Sequence, residues 1–134
     1  MTEPAAPVDV SFLLHAAERL PGDPQVDDLG SLYAAIARIY AHAMGRDVYS
    51  SPHLKAGALL QTLVRLPCLE HSNSAFAWVS AEAFLALHGH RLDYPPKDAV
   101  LLVRETAAGS IGVARIARQL RDWTRPADTP PIEG

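Results

Sequence analysis

The residues whose types and spacing suggest chemistry lie in one short stretch of the chain. It reads Leu66-Pro67-Cys68-Leu69-Glu70-His71-Ser72-Asn73-Ser74-Ala75-Phe76-Ala77-Trp78 and passes from turn-forming residues into an apolar helical pattern. The imidazole of His71 can act as a general base near neutral pH. Asn73, with Ser72 and Ser74 on either side, stands where the free N–H groups of a helix N-terminus can hold an anion. This stretch is therefore the candidate site.

Each of these side chains also has a purely structural interpretation. A histidine such as His71, in a polar loop between Glu70 and Ser72, is most often exposed to solvent or hydrogen-bonded locally. Asn73 is a good N-cap residue and can cap the following helix without binding a ligand. Cys68 has only His71 as a basic neighbour in sequence, which favours a packed thiol over a reactive one.

Two further groups of side chains suggest binding. Histidines outside the stretch invite a metal site, above all His88 and His90, but structural metal sites need three or four ligands and the single cysteine is distant in sequence. We therefore predict no metal site. Arginines spaced three or four residues apart near the end of the chain suggest a surface for nucleic acid or an acidic partner, although a solvated helix face explains them as well. They are Arg115, Arg118, Arg121 and Arg125.

Length and composition predict one folded domain. The chain has 134 residues, of which 49% are hydrophobic and 20% charged, enough for one buried core. Its 12 Lys and Arg residues against 15 Asp and Glu residues give a net charge of −3, which disfavours generic binding of nucleic acid. One cysteine cannot form an internal disulfide, and no leader or membrane-spanning pattern is evident. We expect the protein in the cytoplasm.

The apolar residues recur at helical spacing and predict an all-α fold. We expect tails rich in proline at 1–7 and 125–134, and one helical domain at 8–124. Turn residues divide that domain into six predicted helices, at about 11–20, 28–43, 52–66, 73–88, 96–108 and 111–123. Only residues 90–94 alternate as a strand does, which is too little to build a sheet.

Three stretches of the chain have the order and content of a known family. Ala77 to Leu92 is similar to a central helix that usually ends in Phe-Leu-x-x-Asn-Gly, and Asp98 to Ile111 to an acidic turn, an aliphatic helix and an Ala-Gly-Glu-Leu break. Tyr49 to Arg65 is similar to a Tyr-x-x-x-x-x-Lys-Ala-Ala-x-Leu-Leu run. Together they resemble the Doc branch of the Fic family, the death-on-curing toxins of bacterial toxin–antitoxin pairs. The resemblance implies about six helices bundled around a central motif helix.

On this resemblance the family signature, His-x-Phe-x-Asp/Asn-Gly/Ala-Asn-Lys-Arg, falls on residues 67–75 in a degenerate form. Asn73 matches, and Leu69 is an apolar substitute for the aromatic residue. The other signature positions hold Pro67, His71, Ser72, Ser74 and Ala75.

The resemblance assigns a role to each position that has changed. In active members the histidine is the general base, the acidic residue binds the metal, and the last four residues hold nucleotide phosphates. Pro67 has no titratable side chain, and His71 in place of a carboxylate removes the oxygen ligand that Mg²⁺ prefers. Ser74 and Ala75 in place of lysine and arginine remove two positive charges from a polyphosphate site. The inherited chemistry is thus expected to be lost.

Two functions from different classes follow. The first is a catalytically inactive interaction protein, a pseudoenzyme without a cofactor, whose partner is an antitoxin-like protein or a target protein. The resemblance implies such a partner, because Doc-like toxins are usually neutralised by a segment that lies in a surface groove. The second is a phosphotransferase or AMPylase-like nucleotidyltransferase acting on a protein hydroxyl.

The second function requires ATP and Mg²⁺, with His71 as base and Ser72, Asn73 and Ser74 beside the helix N–H groups as the phosphate site. A third hypothesis, a regulator that binds nucleic acid through its arginines, is weaker. The oligomeric state stays open.

Overall fold

Six α-helices and two short antiparallel strand pairs make up residues 6–126, the part of the chain that the computed structural model describes. The elements in order are α1 (Val10–Glu18), α2 (Leu29–Ile39), β1 (His42–Ala43), β2 (Arg46–Asp47), α3 (Pro52–Arg65), α4 (Asn73–Leu87), β3 (His90–Leu92), α5 (Pro96–Ala108), α6 (Val113–Asp122) and β4 (Thr124–Pro126). The predicted all-α class is confirmed.

Helix α3 lies at the centre of the fold and packs against α2, α4, α5 and α6. Its leucines at 59, 60 and 63 are fully buried, as are Phe76 and Phe84 of α4. At Gly57 the backbones of α3 and α6 come close, because a Cβ atom there would lie 3.1 Å from the carbonyl oxygen of Val113. The loop that carries the candidate site joins α3 to α4, so both of its ends are held by helices packed in the core.

The predicted ends of α3 and α5 agree with the structure for local reasons. Ser51 caps α3, since its hydroxyl accepts a hydrogen bond from the backbone N–H of Leu54 at 3.1 Å, and Pro52 takes the first helical position. Pro96 likewise takes the first helical position of α5, where no side chain caps the helix. Gly109 ends α5 with a φ of 78°, a conformation that glycine adopts without steric penalty.

The prediction that the second helix reaches residue 43 is wrong. The helix ends at Ile39, and β1 and β2 form a hairpin around Met44 and Gly45, whose φ angles are 54° and 77°. Two consecutive positive φ angles are typical of a tight hairpin turn. Gly45 therefore turns a hairpin instead of ending a helix, and the apolar periodicity up to residue 43 conceals the change.

A second strand pair joins the segment after α4 to the end of the described chain. In β3 and β4, His90 pairs with Pro126, Arg91 with Arg125, and Leu92 with Thr124. Arg125 and Pro126, which the sequence assigns to a tail, thus belong to β4. The rest of the predicted tails lies outside the described residues, apart from Ala6 and Pro7. None of the helices in residues 6–126 has the length and apolarity needed to cross a membrane.

Candidate functional site

The candidate site is the motif loop, residues 66–72, which joins α3 to α4. The segment before α2 pairs with it, because Val26 and Leu69 form an isolated antiparallel bridge. The carbonyl oxygen of Cys68 accepts hydrogen bonds from the N–H groups of Asp27 and Asp28, at 2.7 and 3.0 Å. The N–H of Glu70 donates to the carbonyl oxygen of Gln25 at 3.0 Å. The motif loop is therefore fixed along one edge by backbone hydrogen bonds.

Asn73 ties the motif loop to the start of α4. Its Oδ1 accepts hydrogen bonds from the N–H groups of Cys68 and Leu69, both at 3.0 Å, and its Nδ2 donates to the carbonyl oxygen of Leu69 at 2.9 Å. The prediction that Asn73 caps the helix is wrong: the N-cap is Ser72, and no side chain accepts a capping hydrogen bond. Asn73 instead stabilises the extended loop at Cys68 and Leu69, whose N–H groups have no other partner in the described structure.

Ser72, which the sequence resemblance aligns with the glycine of the family signature, adopts a left-handed conformation, with φ 66° and ψ 28°. A side chain in this region is disfavoured by contact with its own backbone, at about 1 kcal/mol. The turn from the loop into α4 demands this geometry, which glycine adopts freely. The carbonyl oxygen of Ser72 then accepts the first helical hydrogen bond, from the N–H of Phe76 at 2.9 Å. The N–H groups of the first turn are thus left uncapped.

His71 lies on the outer side of the motif loop with its side chain about half exposed, at 49%. Its Nδ1 is 2.8 Å from the Oγ of Ser72, and its Nε2 is 4.0 Å from the Oε1 of Glu70. The ring also lies against Gly22, where a Cβ atom would be 3.2 Å from Cε1. The predicted local hydrogen bond is present, and His71 is oriented by its sequence neighbours.

Cys68 points away from solvent and is fully buried in the core. Burial raises the pKa of its thiol to about 11, so the thiol stays protonated at neutral pH. A protonated thiol is a poor nucleophile. The prediction of a packed thiol is confirmed.

Ser74 and Ala75 face a groove between α4 and α5 that encloses about 590 Å³. The groove is lined mainly by apolar side chains, among them Trp78 and Val100, and its one charged lining residue in the described structure is Arg104. Trp78 Nε1 donates a hydrogen bond to the hydroxyl of Tyr94 at 3.1 Å, and burial raises the pKa of that phenol. Sequence reasoning missed this groove, because the residues of its two walls lie on different helices.

Two of the four arginines near the end of the chain lie beside acidic side chains. Arg115 and Arg118 line a cleft of about 420 Å³ together with carboxylates of α5 and α6. Those carboxylates are Asp98, Glu105 and Asp122. A surface of mixed charge attracts a polyanion weakly, which favours the solvated-face interpretation over nucleic-acid binding.

Three of the other histidines take part in the packing of the fold. His88 Nδ1 lies 2.9 Å from the carbonyl oxygen of Phe84, and the rings of His53 and His90 are 4.8 Å apart. His53 is buried, and burial first, then the charges of His90 and Arg121, lowers its pKa to about 4. Within residues 6–126 no group of three or more His, Cys, Asp or Glu side chains is arranged to hold a metal ion.

Comparisons with known proteins give a clear relative. No protein-family model matches the chain. The chain is 36% identical over 110 residues to a protein of Mycolicibacterium smegmatis named Toxin Doc, and the match covers 81% of this chain and 85% of that protein. The match is long enough to include most of the helical domain.

Proposed function

Because this chain belongs to the Fic/Doc family, we propose that it is a catalytically inactive member that acts by binding a protein partner. The observation that carries the proposal is the state of the one signature residue that persists, Asn73. Both atoms of its amide are engaged with the motif loop, at Cys68 and Leu69. The matching residue thus supports the loop's conformation and does not by itself imply a phosphate site.

The electrostatics at the start of α4 support the same proposal. A nucleotide polyphosphate requires several positive groups or a metal ion at its oxygens. Here the signature's two cationic positions hold Ser74 and Ala75, which border an apolar groove. Pro67 supplies no base, and no carboxylate stands at position 71 to bind Mg²⁺. The changed positions lie in the motif loop and in the first turn of α4, while leucines of α3 and phenylalanines of α4 fill the core.

The partner we propose is a small antitoxin-like protein, with a target protein as the other choice. We infer this partner from the relative, which is named Toxin Doc. Doc toxins of this family belong to toxin–antitoxin pairs. In this proposal the protein works in the bacterial cytoplasm and requires no cofactor.

Nucleotide titration of a matched pair of proteins tests the loss of catalysis. The first protein is the full chain, and the second carries the restored signature Pro67→His, His71→Asp, Ser72→Gly, Ser74→Lys and Ala75→Arg. We expect no saturable binding of Mg²⁺-ATP by the natural chain at millimolar nucleotide, and measurable binding by the restored protein. Equal binding by both, or growth arrest of a bacterial host that depends on residues 67–75, contradicts the proposal.

Binding of the protein encoded next to this chain tests the partner. We expect the two purified proteins to form a stable complex in calorimetry and in size-exclusion chromatography. The restored-signature variant is the control. If the partner binds to a surface outside residues 67–75, it should bind this variant as well as it binds the natural chain. If the two proteins form no complex, the antitoxin-like partner is removed from the proposal.

The second candidate function is a transferase with a rebuilt site, and one contact favours it. His71 Nδ1 lies 2.8 Å from the Ser72 hydroxyl beside the uncapped N–H groups of α4, which places a possible base near an anion site. This candidate requires saturable binding of Mg²⁺-ATP that His71→Ala and Asn73→Ala weaken. A flat titration of the natural chain rejects it.

A further inference from the structure

The groove between α4 and α5 has the size and lining of a small-molecule site. Its volume of about 590 Å³ falls within the range of about 300 to 1,000 Å³ that is typical of ligand pockets. Apolar side chains form most of both walls, with Ala75 and Trp78 on α4 and Ala99, Val100 and Val103 on α5. Val100, at the rim, is 56% exposed. The groove therefore presents an uncovered apolar surface to solvent.

The aromatic side chains of the groove are held in fixed positions. The rings of Trp78 and Tyr94 meet edge to face at 4.9 Å, and Trp78 also lies 6.2 Å from Trp123. The indole N–H of Trp78 is already bonded to the hydroxyl of Tyr94 at 3.1 Å. Because this polar group has its partner, the wall does not require a polar ligand group beside it. A flat apolar body fits such a wall.

One positive charge faces this apolar surface. Arg104 lines the groove and is exposed, and no carboxylate lies within ion-pair distance of it in the described residues. Ser74 provides a hydroxyl on the other helix. A guanidinium and a hydroxyl suit a single carboxylate, which arginine binds with two parallel hydrogen bonds. A polyphosphate requires more positive charge than this groove offers.

We propose that the α4–α5 groove binds a small organic carboxylate with a flat apolar body. The body packs against Trp78, Val100 and Val103, and the carboxylate pairs with Arg104. This binding requires neither the motif loop nor a protein partner, so it stands independently of the proposed function.

Calorimetric titration of the full chain with three probes tests the proposal. The probes are 2-naphthoate, its uncharged amide and AMP. We expect saturable binding of 2-naphthoate, and binding weaker by about tenfold for the amide, which corresponds to the loss of about 1.4 kcal/mol from a charged hydrogen bond. AMP is expected not to compete with 2-naphthoate, since the mainly apolar walls of the groove offer few hydrogen-bond partners for its polar ribose.

Two pairs of surface variants locate the site. Arg104→Ala removes the proposed cation, and Arg118→Ala removes an arginine from the other cleft. Val100→Glu adds a repelling charge at the rim, and Leu101→Glu adds it one residue away, on the other cleft. We expect the first member of each pair to weaken 2-naphthoate binding by about tenfold or more, and the second to leave it unchanged.

Because all four positions are exposed, the variants should keep the fold, which circular dichroism checks. The proposal is overturned if 2-naphthoate does not bind, if Arg104→Ala binds it as well as the natural chain, or if AMP displaces it.

Discussion

Asn73 binds Leu69 at both polar groups of its backbone. Its Oδ1 accepts a hydrogen bond from the N–H of Leu69 at 3.0 Å, and its Nδ2 donates to the carbonyl oxygen of Leu69 at 2.9 Å. An asparagine side chain has the same donor and acceptor arrangement as a peptide group, so it pairs with Leu69 as a neighbouring strand would. On its other edge Leu69 faces Val26 in the isolated bridge.

This arrangement predicts that Asn73 is a stability residue. Asn73→Ala leaves the N–H groups of Cys68 and Leu69 without their acceptor near a buried side chain, so we expect the free energy of unfolding to fall by about 2 kcal/mol. Urea unfolding measures the change. Ser74→Ala, one residue further along the helix, is the matched control and should change stability by less than about 0.5 kcal/mol. If both variants are equally stable, Asn73 does not hold the loop.

The backbone of Ser72 predicts a substitution that raises the free energy of unfolding instead of lowering it. Ser72→Gly removes the steric conflict of a side chain at φ 66°, and we expect the free energy of unfolding to rise by about 1 kcal/mol. The lost contact between Ser72 Oγ and His71 is exposed and contributes little. Thermal unfolding measures the change.

Gly109→Ala is the control for the Ser72 prediction, since it introduces a side chain at φ 78° and should lower stability. A lower melting temperature for Ser72→Gly would show that its side-chain contact outweighs the strain.

The fold was more predictable from the sequence than the site was. Helix ends at Pro52, Pro96 and Gly109 depend on local backbone chemistry, so the sequence alone places them. The hairpin at Met44 and Gly45 was missed because the apolar spacing before it continues that of α2. The local spacing of apolar residues does not show where α2 stops.

Within the site, the sequence did not reveal the roles that depend on distant contacts. The motif loop pairs with a segment about 40 residues earlier, and Val26 gives no sign of that pairing in the sequence. The role of Asn73 follows from the extended loop that this pairing supports, which local capping preferences do not describe. Arg104 was overlooked because the groove that it lines also includes residues of α4 and Tyr94, which are distant from it in the sequence.

His53 predicts that acid lowers the stability of the fold where α3 meets β4. The hydroxyl of Thr124 donates to the carbonyl oxygen of Leu120 at 2.7 Å, so it accepts from the Nε2–H of His53 at 2.8 Å. The pKa of His53 is lowered from 6.5 to about 4 by burial, with His90 and Arg121 adding to the effect. The imidazole of His53 therefore binds a proton less readily in the folded state than in the unfolded state.

The sign of the pH effect follows from this difference. The stabilisation is fully present above pH 6.5 and is lost as the pH falls from 6.5 towards 4. We expect the free energy of unfolding to fall by about 2 kcal/mol between pH 7 and pH 4.5 through this residue. Urea unfolding across that range measures it, with His53→Gln as the comparison. A His53→Gln variant that loses the same stability on acidification excludes His53 as the cause.

Ser80 carries the last prediction, because its hydroxyl is the polar side-chain atom that is buried without a hydrogen-bond partner in the described structure. It lies on the core face of α4 and is fully buried. A buried hydroxyl without a partner is unfavourable, and alanine is also the better helix former. We expect Ser80→Ala to raise the free energy of unfolding by about 1 kcal/mol, measured in urea.

A second buried hydroxyl gives the matched control for Ser80. Thr106 is also fully buried, but its Oγ1 donates to the carbonyl oxygen of Leu102 at 2.8 Å. Thr106→Val removes that bond at constant shape and should not stabilise the protein, since a satisfied donor is lost. If Ser80→Ala lowers stability as Thr106→Val does, the hydroxyl of Ser80 has a partner in solution, and the core of α4 contains a polar contact that helps to hold the motif helix.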